Sequence, residues 1–158
     1  MKKMLITAIA LISINTNADV FSDYQAQGQK ALALALNPAS AKEDVIFETQ
    51  NLIKIGYQIM DLYQVKFTEC VEQFAQLKTV DAELNQLSYD QIDKLYHEGE
   101  GLVKAPRTCY KGRSMVVHPY QMIALAKESR LQSEKETVEH EYTEVIERAG
   151  KIKTLLGL

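Results

Sequence analysis

The sequence predicts an all-α protein, a helical bundle of the four-helix type that is built on two long amphipathic helices. Its 158 residues include only three prolines, seven glycines and no tryptophan, whereas the helix formers Ala, Leu, Glu, Lys and Gln are abundant. Two long segments repeat apolar residues at steps of three and four, the period of a helix with one buried face. Signals for β-strands are nearly absent.

The first eighteen residues have the pattern of a bacterial export signal. Two lysines follow Met1, residues 4–14 are apolar with two exceptions, and Ala18 offers a small residue to a signal peptidase. The apolar run is about 11 residues long, shorter than the ~20 that a helix needs to cross a bilayer. We therefore expect residues 1–18 to be cleaved and residues 19–158 to fold as a single helical-bundle domain with no membrane span, periplasmic or secreted.

The chain has two cysteines, Cys70 and Cys109. In the oxidising compartment to which an export signal leads, a pair of thiols becomes a disulfide. The two are too far apart in sequence for a CxxC redox motif, and the chain has no CxxCH for covalent haem attachment. We therefore predict a Cys70–Cys109 disulfide.

The first half of the chain predicts two helices. The first covers about residues 20–36 and ends before Pro38, because proline disfavours helical backbone in the residue that precedes it. Ser40 and Glu43 fit a capping box that starts the second helix, which is expected to run to about Lys78. Its apolar stripe consists of Leu52, Ile55, Ile59, Leu62, Cys70, Phe74 and Leu77. The cysteine in this stripe is thus expected to face the core.

A shorter helix is predicted after residue 88. Ser88 and Gln91 fit a second capping box, and Gly99 and Gly101 end the helix. Residues 104–113 are then expected to form a connector.

The last long helix is predicted to begin at His118 and Pro119, since proline is favoured at the first helical position. It is expected to continue to about Leu156. Its middle, residues 127–137, is polar apart from Leu131 and should be its least buried part. The two long helices are expected to pair as an antiparallel hairpin.

The connector is the one region where positive charge concentrates. Removal of Lys2 and Lys3 would leave 16 basic against 21 acidic side chains, a net charge of −5, which argues against a nucleic-acid-binding protein. From Gly101 to Ala126 there is no acidic residue. We expect an unidentified anionic ligand or acidic protein partner to bind this segment through Lys104, Arg107, Lys111, Arg113 and His118. A solvated connector whose charges only offset an acidic body is the alternative interpretation.

The histidines raise a second hypothesis, a small periplasmic bundle that carries haem or a metal through His97, His118 or His140. A di-iron bundle normally supplies Glu-x-x-His from two of its helices, and none of the three histidines has Glu at the third position before it. Noncovalent haem needs only one or two axial ligands, so a histidine paired with Met60 or Met122 would suffice. The favoured interpretation is that these histidines are structural, with no cofactor.

No catalytic motif is apparent, and we expect no enzymatic activity. The chain has no GxSxG, SxxK or HExxH pattern, and cysteines that are joined are not available as nucleophiles. Residues 134–147 carry six glutamates interspersed with cations, a pattern typical of a solvated helix face with local ion pairs.

Overall fold

The computed structural model describes the backbone of residues 16–158 and the side chains of residues 20–158. Within that part of the chain all regular structure is helical, so the predicted all-α class is confirmed. The elements are α1 (Thr16–Leu36), α2 (Lys42–Lys66), a 3₁₀ turn (Thr68–Cys70), α3 (Val71–Thr79), α4 (Asp81–Leu84), α5 (Tyr89–Ile92), a π-helical turn (Asp93–His97), α6 (Cys109–Lys127) and α7 (Lys135–Leu156). Among these described helices none is both long and apolar enough to cross a membrane. The predicted export signal, residues 1–18, lies almost entirely outside the described residues.

The turn between α1 and α2 agrees with one prediction and contradicts another. Helix α1 ends just before Asn37, as the following Pro38 predicts. The capping box predicted at Ser40 is wrong: α2 begins at Lys42, and its N-cap is Ala41, whose side chain has no oxygen to accept a hydrogen bond. The amide of Ser40 instead donates to the carbonyl of Asn37 at 3.0 Å, which holds the serine in the turn.

The second helix does not continue to Lys78 as predicted. It ends at Lys66 because Phe67 leaves the helical conformation, with φ −112° and ψ 72°. The ring of Phe67 stacks on that of Tyr63 with 4.4 Å between centroids. This packing favours the bend, and the chain turns before α3 begins.

The predicted disulfide between Cys70 and Cys109 is present, with 5.3 Å between their Cα atoms. Both cysteines are buried. Cys70 ends the 3₁₀ turn and Cys109 begins α6, so the bridge ties the start of α6 to the junction between α2 and α3.

The predicted start of the last helix at His118 is wrong, since α6 begins at Cys109 and contains Pro119 in its interior. A proline lacks the amide that would donate to the carbonyl four residues earlier, which here belongs to Met115. The hydroxyl of Tyr24, from α1, donates to that carbonyl at 2.8 Å. A tertiary hydrogen bond thus compensates for the internal proline.

Helices α6 and α7 replace the single long helix that the sequence predicts. Ser129 adopts a left-handed conformation, with φ 58°. Its amide donates to the carbonyl of Ala126 at 3.1 Å, and the amide of Arg130 donates to that of Leu125 at 2.9 Å. These two bonds form a Schellman motif, which ends α6 with serine where glycine is usual.

The four long helices share one apolar core. Helices α2 and α7 each pack against both α1 and α6, while α3, α5 and the π-helical turn also contact α6. Helices α2 and α6 approach closely at Gly56, where an added Cβ atom would lie 2.3 Å from the carbonyl oxygen of Met115. The largest completely buried side chains include Tyr24, Tyr63, Tyr142, Phe21, Phe74, Leu52, Ile59 and Met60.

Candidate functional site

The basic segment, residues 104–113, is held in place on the side of α3. The side chain of Gln73 donates to the carbonyl of Val103 at 3.0 Å. The side chain of Gln76 donates to the carbonyl of Gly101 at 2.9 Å and accepts from the amide of Val103 at 2.7 Å. The disulfide anchors the other end of the segment. The segment is therefore held immediately before residue 104 and at Cys109, where α6 begins, so that its last residues, predicted as connector, are helical.

A groove of about 550 Å³ opens between this connector, the π-helical turn and the start of α6. Three cationic side chains line it against one carboxylate, and we call it the basic groove. Its lining residues are Gln73, His97, Glu98, Gly99, Val103, Lys104, Ala105, Pro106, Arg107, Tyr110 and Arg113.

The structure separates the five predicted binding residues into three groups. Lys104, Arg107 and Arg113 line the basic groove. Lys111 is exposed on the same segment but lies outside the lining. His118 is also outside the lining and is only 1% exposed, so its role differs from that of the cations.

Arg113 forms part of the groove wall rather than a free charge. Its Nη2 donates to the carbonyl of His97 at 2.7 Å and its Nη1 to Oε1 of Gln73 at 3.3 Å. The guanidinium group lies 5.3 Å from the ring centre of Tyr110. Burial lowers the pKa of Arg113. Its contacts join α6 to α3 and to the end of the π-helical turn.

Two residues of the groove, His97 and Tyr110, also contact His118. The Tyr110 hydroxyl lies 2.6 Å from Nε2 of His97 and 3.2 Å from Nε2 of His118. The two imidazole rings meet edge to face with 4.8 Å between their centroids. Burial, with a smaller electrostatic contribution from the neighbouring His118, lowers the pKa of His97, which favours its neutral form at pH 7.

The other side of His118 faces carboxylates from α7. Its Nδ1 contacts Oε2 of Glu141 and lies 3.6 Å from Oε2 of Glu144. Arg148 donates to Oε1 of Glu144, and its guanidinium lies 4.7 Å from the ring centre of Tyr110. Burial alone would raise the pKa of Glu141, but its contact with His118 and the nearby histidine charges lower it overall. We call this set the buried polar cluster; it comprises His97, Tyr110, His118, Glu141, Glu144 and Arg148.

Asp93 orients the cluster from the π-helical turn. Its Oδ1 lies 2.9 Å from Nδ1 of His97 and accepts a bond from Gln121 at 3.0 Å. If Nδ1 of His97 donates to this carboxylate, Nε2 accepts from the Tyr110 hydroxyl, and the Tyr110 oxygen accepts from Nε2 of His118. This assignment leaves a lone pair on Nδ1 of His118, directed at Glu141 and Glu144.

The interpretation of residues 134–147 as a solvated face is wrong at Glu141, which is 8% exposed. Glu141 lies three residues after Val138 and four before Val145, both of which are buried. This spacing places Glu141 on the buried face of the helix, and it is the feature of the sequence that indicates its burial. His140, by contrast, is exposed and faces a shallow acidic surface groove.

A Glu-x-x-His motif lies within one helix, whereas the members of this cluster come from different helices. His118 lies on α6, whereas Glu141 and Glu144 form a Glu-x-x-Glu pair on α7. Only the packing of α6 against α7 brings them together.

Comparison of the chain with protein-family models, with curated proteins and with solved structures finds no match in any of the three. The geometry of the groove and of the cluster is therefore the basis for assigning a function.

Proposed function

We propose that this protein binds a small anionic ligand in the basic groove, and that its long helices form a four-helix-type bundle that serves as the scaffold. The observation that carries the proposal is the presence of Lys104 and Arg107 on the wall of a groove whose connector is fixed by a disulfide and by two glutamines. A connector held in this way positions its charges before a ligand arrives, which reduces the entropic cost of binding.

The charges of Lys104 and Arg107 are available to a ligand. Within residues 20–158, neither side chain forms an ion pair or a hydrogen bond with the protein. Charge-assisted bonds from such donors are the stronger class of hydrogen bond.

The size of the groove favours a small molecule over a protein surface. Its volume of about 550 Å³ falls within the range of ordinary small-molecule sites, roughly 300–1,000 Å³. His97 and Tyr110 add polar ring edges to its lining, and Glu98 adds one negative charge. An anion with a neutral or donor group at one end matches this lining.

We further propose that the protein acts in the periplasm or outside the cell. The export pattern in residues 1–18 supports this location, and so does the disulfide, because such bridges persist in oxidising compartments.

The test is calorimetric titration of the oxidised protein with inorganic phosphate, pyrophosphate and citrate. We expect at least one probe to bind, and a variant with Lys104→Gln and Arg107→Gln to bind it about tenfold or more weakly, since a bond to a charged group contributes about 1.5–3 kcal/mol. Binding should also weaken as salt rises.

The matched control is Lys111→Gln, which removes an exposed cation of the same segment from outside the groove. It should bind like the wild type. Equal loss in the control and in the double variant would show that the probe responds to the overall charge of the segment and would contradict a site in the groove. Failure of all three probes to bind would contradict the proposal.

A further inference from the structure

We propose that His118, Glu141 and Glu144 bind a divalent transition-metal ion of the zinc type between α6 and α7. The anion-binding function of the groove does not require this site, so the two proposals are independent.

The three side chains bring their ligand atoms close to one another, as binding of a single ion requires. One ligand atom from each, the Nδ1 of His118 and a carboxylate oxygen of Glu141 and of Glu144, all lie within 4.8 Å of one another. In a tetrahedral zinc site with bonds of about 2.0–2.2 Å, two ligand atoms lie about 3.3–3.6 Å apart. Nδ1 of His118 and Oε2 of Glu144 already have this separation, 3.6 Å, whereas Nδ1 of His118 and Oε2 of Glu141 are in closer contact and would move apart to admit an ion. One imidazole and two carboxylates are ligands that zinc and its neighbours accept, and a fourth position remains for water or a substrate.

A second observation independently points to a cation. His118 is 1% exposed, and neither its Nδ1 nor Oε2 of Glu141 has a hydrogen-bond partner among the described residues, although the two atoms are in contact. A buried lone pair facing two carboxylates is repulsive unless the three groups share a positive charge, which either a metal ion or a proton can supply.

The surrounding residues fix the ligand atoms in the way that metal sites require. The Tyr110 hydroxyl, 3.2 Å from Nε2 of His118, holds the ring nitrogen opposite the ligand atom. Arg148 binds Oε1 of Glu144 and leaves Oε2 turned toward His118. Such outer partners set the tautomer and orientation of metal ligands.

An ion has a route to the cluster. Glu144 is 31% exposed and also lines the shallow surface groove of about 470 Å³ that contains His140. Three further acidic side chains and one threonine line that groove: Glu136, Glu139, Glu147 and Thr143. A negative rim raises the local concentration of cations at this opening.

The competing explanation is a static pair between a protonated His118 and Glu141, in which the proton supplies the positive charge. That pair needs no metal. The two explanations differ in whether the folded protein takes up one equivalent of ion.

The experiment is titration of chelator-treated, folded protein with Co²⁺, followed by visible absorption, and with Zn²⁺ in competition with a chromogenic chelator. We expect one equivalent to bind per chain, ligand-field bands to appear with Co²⁺, and the melting temperature to rise with either ion. Glu141→Gln and Glu144→Gln should each weaken binding about tenfold or more. Glu144 is only partly buried, so its variant keeps the test valid if Glu141→Gln fails to fold.

The matched control is His140→Gln, which removes the exposed histidine of the surface groove and should leave affinity unchanged. Loss of binding in this control would place the ion at the surface and overturn the proposal. Absence of stoichiometric binding to folded wild-type protein would identify the static pair. A Soret band in the purified protein would assign the histidines to haem and would likewise overturn the proposal.

Discussion

The hydroxyl of Tyr24 donates to the carbonyl of Met115 at 2.8 Å, across 91 positions of sequence. This carbonyl is the one whose α-helical donor would be the amide of residue 119, which is a proline. Gly56 lies against the same oxygen from α2. Three helices thus meet at one backbone carbonyl, and the stability of the core should depend on each contact there.

Tyr24→Phe should reduce the free energy of unfolding by about 1–3 kcal/mol, because it leaves the buried carbonyl of Met115 without its tertiary donor. In a Pro119→Ala background the cost should be smaller, since alanine restores an amide at position 119. Urea denaturation of the two single variants and the double variant measures this coupling. If Tyr24→Phe lowers the free energy of unfolding equally in both backgrounds, the hydrogen bond from Tyr24 does not compensate for the amide that Pro119 lacks.

Gly56→Ala should destabilise the protein by about 3 kcal/mol or more, because the added Cβ would meet a backbone oxygen that cannot rotate away. Gly150→Ala is the matched control on α7. Its Cβ would have only the flexible end of Gln25 nearby, at 3.4 Å. The control should be neutral or more stable by about 0.5–1 kcal/mol, since alanine favours helix. Thermal melts that rank the two variants in the opposite order would refute the close approach.

Removal of the disulfide by joint Cys70→Ala and Cys109→Ala should cost about 3–4 kcal/mol in the loop-entropy account, for a separation of 39 residues. Amide hydrogen exchange should accelerate in residues 101–108, the non-helical stretch that leads into α6, more than in α1. Wild-type protein kept reduced serves as the control and should behave in the same way. Unchanged exchange in the connector would mean that Gln73 and Gln76 suffice to hold it.

Glu48 should contribute to the loss of folding stability at acidic pH. Its carboxylate binds Lys30 at 2.8 Å and accepts from Gln27 at 2.7 Å, and these bonds lower its pKa below the ordinary 4.5. A lowered pKa in the folded state gives stability that is complete above pH 4.5 and is lost as pH falls through the folded value. Glu48→Gln should therefore lose less stability than wild type between pH 5 and 3, as measured by urea denaturation. Glu139→Gln, at an exposed position, should follow the wild-type pH profile.

The sequence correctly predicted those features that depend on residues close together in the chain, such as helix ends. Pro38 ends α1 where expected, and the capping box at Ser88 and Gln91 is formed, with bonds of 3.3 and 3.0 Å. The disulfide followed from two cysteines and an expected oxidising location.

Features that depend on tertiary contacts were predicted less well. The preference of proline for the first helical position predicted the wrong first residue for α6. Pro119 is tolerated inside the helix because of Tyr24, which lies 95 positions earlier in the chain. Of the three candidate metal ligands, His118 was named from the sequence, but its partners Glu141 and Glu144 were not, for a similar reason. His118 and Glu141 lie on separate helices, and the high charge of α7 concealed that Glu141 keeps the register of its buried stripe.

The bridge between Cys70 and Cys109 also makes the intervening chain a covalently closed ring, which contains α3, α4, α5 and most of the groove wall. Glu100, Gly101 and Lys104 are exposed in this ring and accessible to a protease. A single cut there would leave two fragments that migrate together until a reductant separates them. A non-reducing gel therefore does not detect proteolytic cleavage in this ring. The groove can be cut while the protein keeps the apparent size of the intact chain.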